Sequence, residues 1–377
     1  MAVTDIRRLL FLFAALLLAV PTQAGVLPPD RADVMYHQYD GGGMKIDGPS
    51  VLVRKSVSDN ISLSANYYID QVSSASIDVI TTASPYTEER TEYTLSGDYL
   101  LNKTIISLGT TTSTENDYDA DTYFMGISQD FFGDLSTLAL SYSYGDNDIY
   151  MSNDDTFSEH SKSQNYQFNW TQVVTKNLLM SFSYNIITDE GFLNNPYRQL
   201  RILTGSTYTY IKEKYPQTHT SHAFGIAGKY YLPIRAALSF DYRRYDDTWD
   251  INAYNIEFGY AQTFLEHWTA EAHVRHYSQS SANFYSDLFD QNYIYMGRDK
   301  ELSEFTDTTY GIGITYEFKP KWTGDWIEKM SANLFIDYIQ FDYKNFRDLT
   351  VTDVPPGSEP LYSFDATVTR LFFSVWY

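Results

Sequence analysis

In the stretch WTAEAHVRHY, Glu271, His273 and Arg275 stand at alternate positions. A carboxylate, an imidazole and a guanidinium spaced by two share a face only where the backbone is extended. On that face they can form an ion-pair ladder, and no nucleophile motif beside them makes the set catalytic. Asp117, Asp119 and Asp121 alternate in the same way in ENDYDADTY, after Glu115, and GDNDIYMSNDD adds Asp146, Asp148, Asp154 and Asp155. Carboxylates so arranged offer the hard oxygen ligands calcium takes, but the glycine and the distal glutamate of an EF-hand are missing. Asp117, Asp119 and Asp121 are therefore a weak calcium candidate, set against the plainer reading of a solvated acidic rim. His219 and His222 are three apart, which on a strand sends them to opposite faces and prevents a shared metal. No catalytic residues, no cofactor and no enzyme activity are expected.

The elements that must carry these residues read as strands. In NISLSANYYID, Ile61, Leu63, Ala65, Tyr67 and Ile69 alternate with Ser62, Ser64, Asn66, Tyr68 and Asp70. NLLMSFSYNI and TYGIGITYEF repeat the pattern, with Leu178, Met180, Phe182, Tyr184 and Ile186 on one face in the first and Tyr310, Ile312, Ile314, Tyr316 and Phe318 in the second. A soluble sandwich also alternates. These segments, however, run to about 10 to 14 residues, nearer a strand tilted across a membrane than the five or six typical of soluble strands.

The connections alternate too. Tight turns stand at 102–103, 133–134, 175–177, 233–234 and 266–267, whereas 72–89, 114–120, 146–160, 188–216, 280–303 and 344–361 are long and mostly polar. Short turns at one end and long loops at the other describe an all-β fold: a transmembrane antiparallel up-and-down β-barrel with periplasmic turns and extracellular loops. The count is about 16 strands, or 14 if the hairpins at Gly41–Gly43 and 246–250 do not span. The three glycines read as a tight hairpin rather than a ligand cradle, since no helix follows them. The loop containing Ile77, Val79 and Ile80 is too apolar for free solvation and is expected to fold inward or pack on the rim.

Export is written at the start of the chain. Arg7 and Arg8 precede an apolar stretch from Leu9 to Val20, then Pro21 and the small-residue site ending at Ala24. This predicts a signal peptide over 1–24 with cleavage after Ala24, a single barrel domain over 25–377, no N-terminal plug, and a place in the bacterial outer membrane. A net charge of −21 argues against a nucleic-acid partner. The absence of cysteine excludes disulfides, thiol catalysis and cysteine-bound metal, while 17% aromatic residues argue against disorder.

The segments YDGGGMKIDGPSVLVRK, SSASIDVITTASPY and SQDFFGD carry a resemblance. With the sequence around them, from about residue 31 to the C-terminus, they are similar to the exported bacterial outer-membrane proteins known as the domain of unknown function 3570 family. The resemblance implies the same location and architecture, and neighbours that include a small lipoprotein and extracytoplasmic redox proteins. It brings no catalytic residues.

Opposite the apolar face, the lumen is expected to be lined by Asp70, Asp98, Lys229, Asp241, Arg243, Glu257, Glu271, His273, Arg275, Glu317, Asp337 and Arg370, with Glu92 beside them. Acids exceed bases, which mildly favours cations or zwitterions in a wet interior. The expected function is a porin-like channel for small solutes or ions. The alternative is a non-conducting scaffold that partners a lipoprotein or redox assembly. The chain ends on RLFFSVWY, whose alternation to Tyr377 is expected to close the sheet against Val34 to Asp40 and to be the signal read by the barrel assembly machinery.

Overall fold

The computed structural model describes residues 26–74 and 86–377; the expected signal peptide over 1–24 and the apolar loop residues Ile77, Val79 and Ile80 lie outside the described residues. Among the described residues eighteen strands follow in chain order: β1 (Arg31–Gly41), β2 (Met44–Ser58), β3 (Ile61–Ser74), β4 (Tyr86–Leu101), β5 (Thr104–Thr114), β6 (Tyr118–Phe131), β7 (Ser136–Tyr150), β8 (Ser158–Thr175), β9 (Leu178–Gly191), β10 (Gln199–Thr204), β11 (Thr207–Lys212), β12 (Thr218–Leu232), β13 (Ala236–Asp247), β14 (Asn252–Phe264), β15 (Trp268–Gln279), β16 (Phe305–Phe318), β17 (Lys329–Arg347) and β18 (Leu361–Trp376). Sixteen of them close an antiparallel barrel, and β10 and β11 form a separate two-stranded sheet, with Ile202 of β10 also bridging to Phe289.

Both short hairpins span, so the count is sixteen rather than fourteen. At the first, Gly42 and Gly43 take φ of 59° and 76°, the left-handed geometry a two-residue hairpin needs and glycine supplies without strain. The unexpected element is the β10–β11 hairpin, inside a connection that reads as loop. Six-residue strands give too few alternations to register as a period, and this pair forms no part of the barrel wall.

The last strand makes the closing seam. β18 pairs with the whole of β1, from Arg31 opposite Trp376 to Gly41 opposite Ala366, and with β17 on its other side. No edge is left open, which is what a sheet in lipid requires. Tyr377 continues past the strand: its backbone N–H donates to Asp30 O at 3.3 Å and its hydroxyl to Arg54 O at 3.1 Å.

The outer surface is apolar around the whole ring. Leu108, Phe258 and Ile312 are 59%, 59% and 63% exposed, so this face has no protein cover and suits hydrocarbon. Tyrosines pair across strands within it, as Tyr67 with Tyr93 and Tyr142 with Tyr166, with centroids 4.8 and 5.0 Å apart. The buried apolar residues gather elsewhere, at the long-loop end. Trp249, Ile251, Ala282, Phe284 and Leu302 form one cluster there, and Leu200, Phe289 and Met296 another.

Candidate functional site

Because β-strand side chains alternate, the exposed apolar positions fix which residues face inward. On β14, Tyr254, Phe258 and Tyr260 face out, so Glu257 faces in; cross-strand register then puts Asp241 and Arg275, its direct neighbours, on the same face. The same reasoning places Asp70 on β3, Asp98 on β4, Lys229 on β12, Arg243 on β13, Glu271 and His273 on β15, Glu317 on β16, Asp337 on β17 and Arg370 on β18 opposite the apolar exterior.

Several of these meet charged or imidazole partners one or two strands round the ring. Asp337 accepts from Arg370 Nη2 at 2.7 Å and lies 3.5 Å from His273 Nε2. Arg275 Nη2 donates to Asp307 at 3.0 Å, and His37 Nε2 meets Asp70 at 2.7 Å. Arg54 stands 3.9 Å from Asp98. Glu271, His273 and Arg275 share a face, but His273 meets Asp337 of β17 and Arg275 pairs with Asp307 of β16 rather than either with Glu271. Lys229, Arg243 and Glu271 are solvent-exposed although they point inward.

The calcium candidates do not converge. Asp119 and Asp121 continue the outward series of Tyr123, Met125 and Ile127, and Thr112 donates to Asp121 on that outer face at 2.6 Å. Asp117 lies beyond the strand and instead groups with Glu88 and Glu115, all within 4.8 Å. The reason is the end of the strand: alternation stops at Tyr118, so the third acid leaves the face of the other two. Burial pushes the Glu115 carboxyl up, with Arg90 pulling it down and Asp117 adding repulsion. His219 bridges Asp189 at 3.2 Å and Asp247 at 2.9 Å, whereas His222 meets Tyr184 at 3.0 Å on the outside.

A charged cluster that sequence reasoning missed ties connections together at the long-loop end. Arg201 of β10 is 1% exposed and donates to Asp287 at 2.9 Å and to Glu359 at 2.5 Å. Arg298, also buried, reaches Asp287 at 2.9 Å and covers the Phe346 ring at 4.4 Å, while its backbone N–H donates to Glu213 at 2.7 Å. Burial raises the Glu359 carboxyl and Arg201 overrides it, leaving it below its ordinary value. Three long connections are thus tied into one cap. The available signal was Arg201 itself, a charge at the centre of the short apolar run QLRILT.

A closed sixteen-strand barrel with an apolar exterior and a polar inner face is the outer-membrane class of β-barrel. Within that class the chain belongs to the family described as "Protein of unknown function (DUF3570)", whose model matches residues 77–337. No curated protein matches it in sequence. Among solved structures it is similar to a bacterial polysaccharide outer membrane secretin, with a TM-score of 0.52, 8% identity, and coverage of 93% of this chain and 99% of that one. The siderophore receptor PirA from Pseudomonas aeruginosa gives 0.46 at 10% identity over 93% of this chain, which spans only 63% of the receptor. OmpT of Vibrio cholerae gives 0.44 at 12% identity, covering 93% of this chain and 100% of its own. At such identities the likeness is one of fold alone.

Proposed function

We propose that the protein is a porin-like channel, exported through its signal peptide to the bacterial outer membrane, that passes small solutes or ions. The observation that carries this reading is the exposure of Lys229, Arg243 and Glu271 on the inner face, because a barrel packed solid would bury or pair them. The acid excess along the inner face raises local cation concentration and lowers that of anions. In planar bilayers the purified barrel should give stable single-channel steps in potassium chloride, with potassium favoured over chloride. Persistent silence would exclude a channel.

The buried cap favours a second reading, a closed barrel that serves as a membrane scaffold for a small lipoprotein or redox proteins. Arg201, Asp287, Arg298 and Glu359 tie three connections over one end, and such a lid could hold the barrel shut. Under this reading the barrel stays silent and a lipoprotein or redox protein co-purifies with it from native membranes. Under either reading the C-terminal strand serves as the signal for the barrel assembly machinery.

A further inference from the structure

The inner wall is chemically divided. On β5 to β9, away from the strand ends, every inward position is a hydroxyl, an amide, a glycine or an apolar residue. Ser141 stands opposite Gln167, Ser143 opposite Asn165, and Gln167 in turn opposite Asn185. The charged lumen residues lie on the remaining strands. β17, which carries Asp337, is eight strands round the ring of sixteen from β7 and so faces it across the lumen. Part of the charge on that far side is paired, as Arg370 with Asp337 and Arg275 with Asp307, and acids such as Asp241 and Glu257 stand beside these pairs.

Hydroxyls and amides both donate and accept, so they can replace water around another polyhydroxyl group at little net cost. A charged solute gains no counter-charge on this wall and would lose hydration there. One aromatic residue belongs to the same surface. Phe124 sits inward on β6 directly opposite Gly109, and a Cβ at position 109 would collide with its ring. The ring therefore lies over the glycine on the inner face of the sheet, a flat apolar patch among hydroxyls and amides. A pyranose, with polar edges and an apolar C–H face, has the complementary pattern.

We infer that the β5–β9 wall is a binding track for uncharged polyhydroxylated solutes of carbohydrate type, with Asn165, Gln167 and Asn169 supplying hydrogen bonds and Phe124 the stacking platform. This rests on the channel reading above and names its solute class. Anions are disfavoured by the acids of the opposite side, and small cations pass without using the track.

The test is current block in planar bilayers with maltotriose as the probe and gluconate as the charged control. Maltotriose should reduce the potassium chloride current saturably, and gluconate should not. The triple variant Asn165→Ala, Gln167→Ala, Asn169→Ala should raise the half-blocking maltotriose concentration about tenfold while leaving the unblocked current within about a factor of two. If the triple variant fails to assemble, Gln167→Ala alone should shift it about threefold. A conducting barrel that maltotriose does not block, or blocks equally in the variants, overturns the solute class and leaves the channel standing. A barrel silent in potassium chloride overturns both.

Discussion

Asp337 of β17 accepts from Arg370 of the adjacent β18 and lies 3.5 Å from the His273 imidazole of β15, one strand further round, and it is buried while Arg370 remains partly exposed. Replacing it by asparagine removes the charge but keeps the shape, leaving both partners without their anion. Asp337→Asn should lower the unfolding free energy by about 1–3 kcal/mol, read as a shift in the urea midpoint of the lipid-reconstituted barrel. Glu213 makes a residue-scale prediction of different sign. Burial pushes its carboxyl up to about 7 from an ordinary 4.5, with Asp299 adding repulsion and Arg298 N–H, the Tyr215 hydroxyl and Arg198 opposing. A carboxyl raised by folding is held most favourably while protonated, so its support is complete below about pH 4.5 and lost as pH rises through 7. Amide exchange in the 280–304 connection should accelerate between pH 5 and pH 8 beyond the intrinsic base dependence, and Glu213→Gln should abolish that excess.

At the scale of elements, β18 and the β10–β11 hairpin make opposite predictions. β18 satisfies the backbone groups of both β1 and β17, and lipid offers no substitute for those bonds. Deleting residues 371–377 should abolish the heat-modifiable folded form on electrophoresis, whereas deleting residues 199–212 should leave the barrel folded with its cap disrupted. Recovery of the folded form after the first deletion would contradict the role of the seam. The barrel strands were legible in the sequence because long period-two runs such as NISLSANYYID are interrupted by turns that physics recognises. The hairpin was not, since QLRILT and TYTYIK are too short to show a period.

The whole molecule combines a wall that sequence predicts with a cap that it does not. Inward and outward faces follow from local alternation, so Arg243 and Glu257 could be placed from their immediate neighbours. The cap depends on residues far apart in the chain: Arg201 meets Asp287 across 86 positions and Glu359 across 158. No local pattern encodes such a meeting. The uncharged wall was visible in principle, in the alternating Ser, Asn and Gln of SKSQNYQFNWT, but attention to charge passes over residues that carry none. Asp117, Asp119 and Asp121 show the converse, because their regular spacing continues past the end of the strand that gives it meaning.

The proposed channel function requires that water fill the barrel, and a sequence without cysteine allows a direct probe of this. A single thiol at Arg243→Cys faces the lumen, and one at Phe258→Cys faces lipid. With a charged, membrane-impermeant thiol reagent, the account predicts rapid modification and loss of current for Arg243→Cys and neither for Phe258→Cys. An unreactive thiol at position 243 in the folded barrel would contradict it.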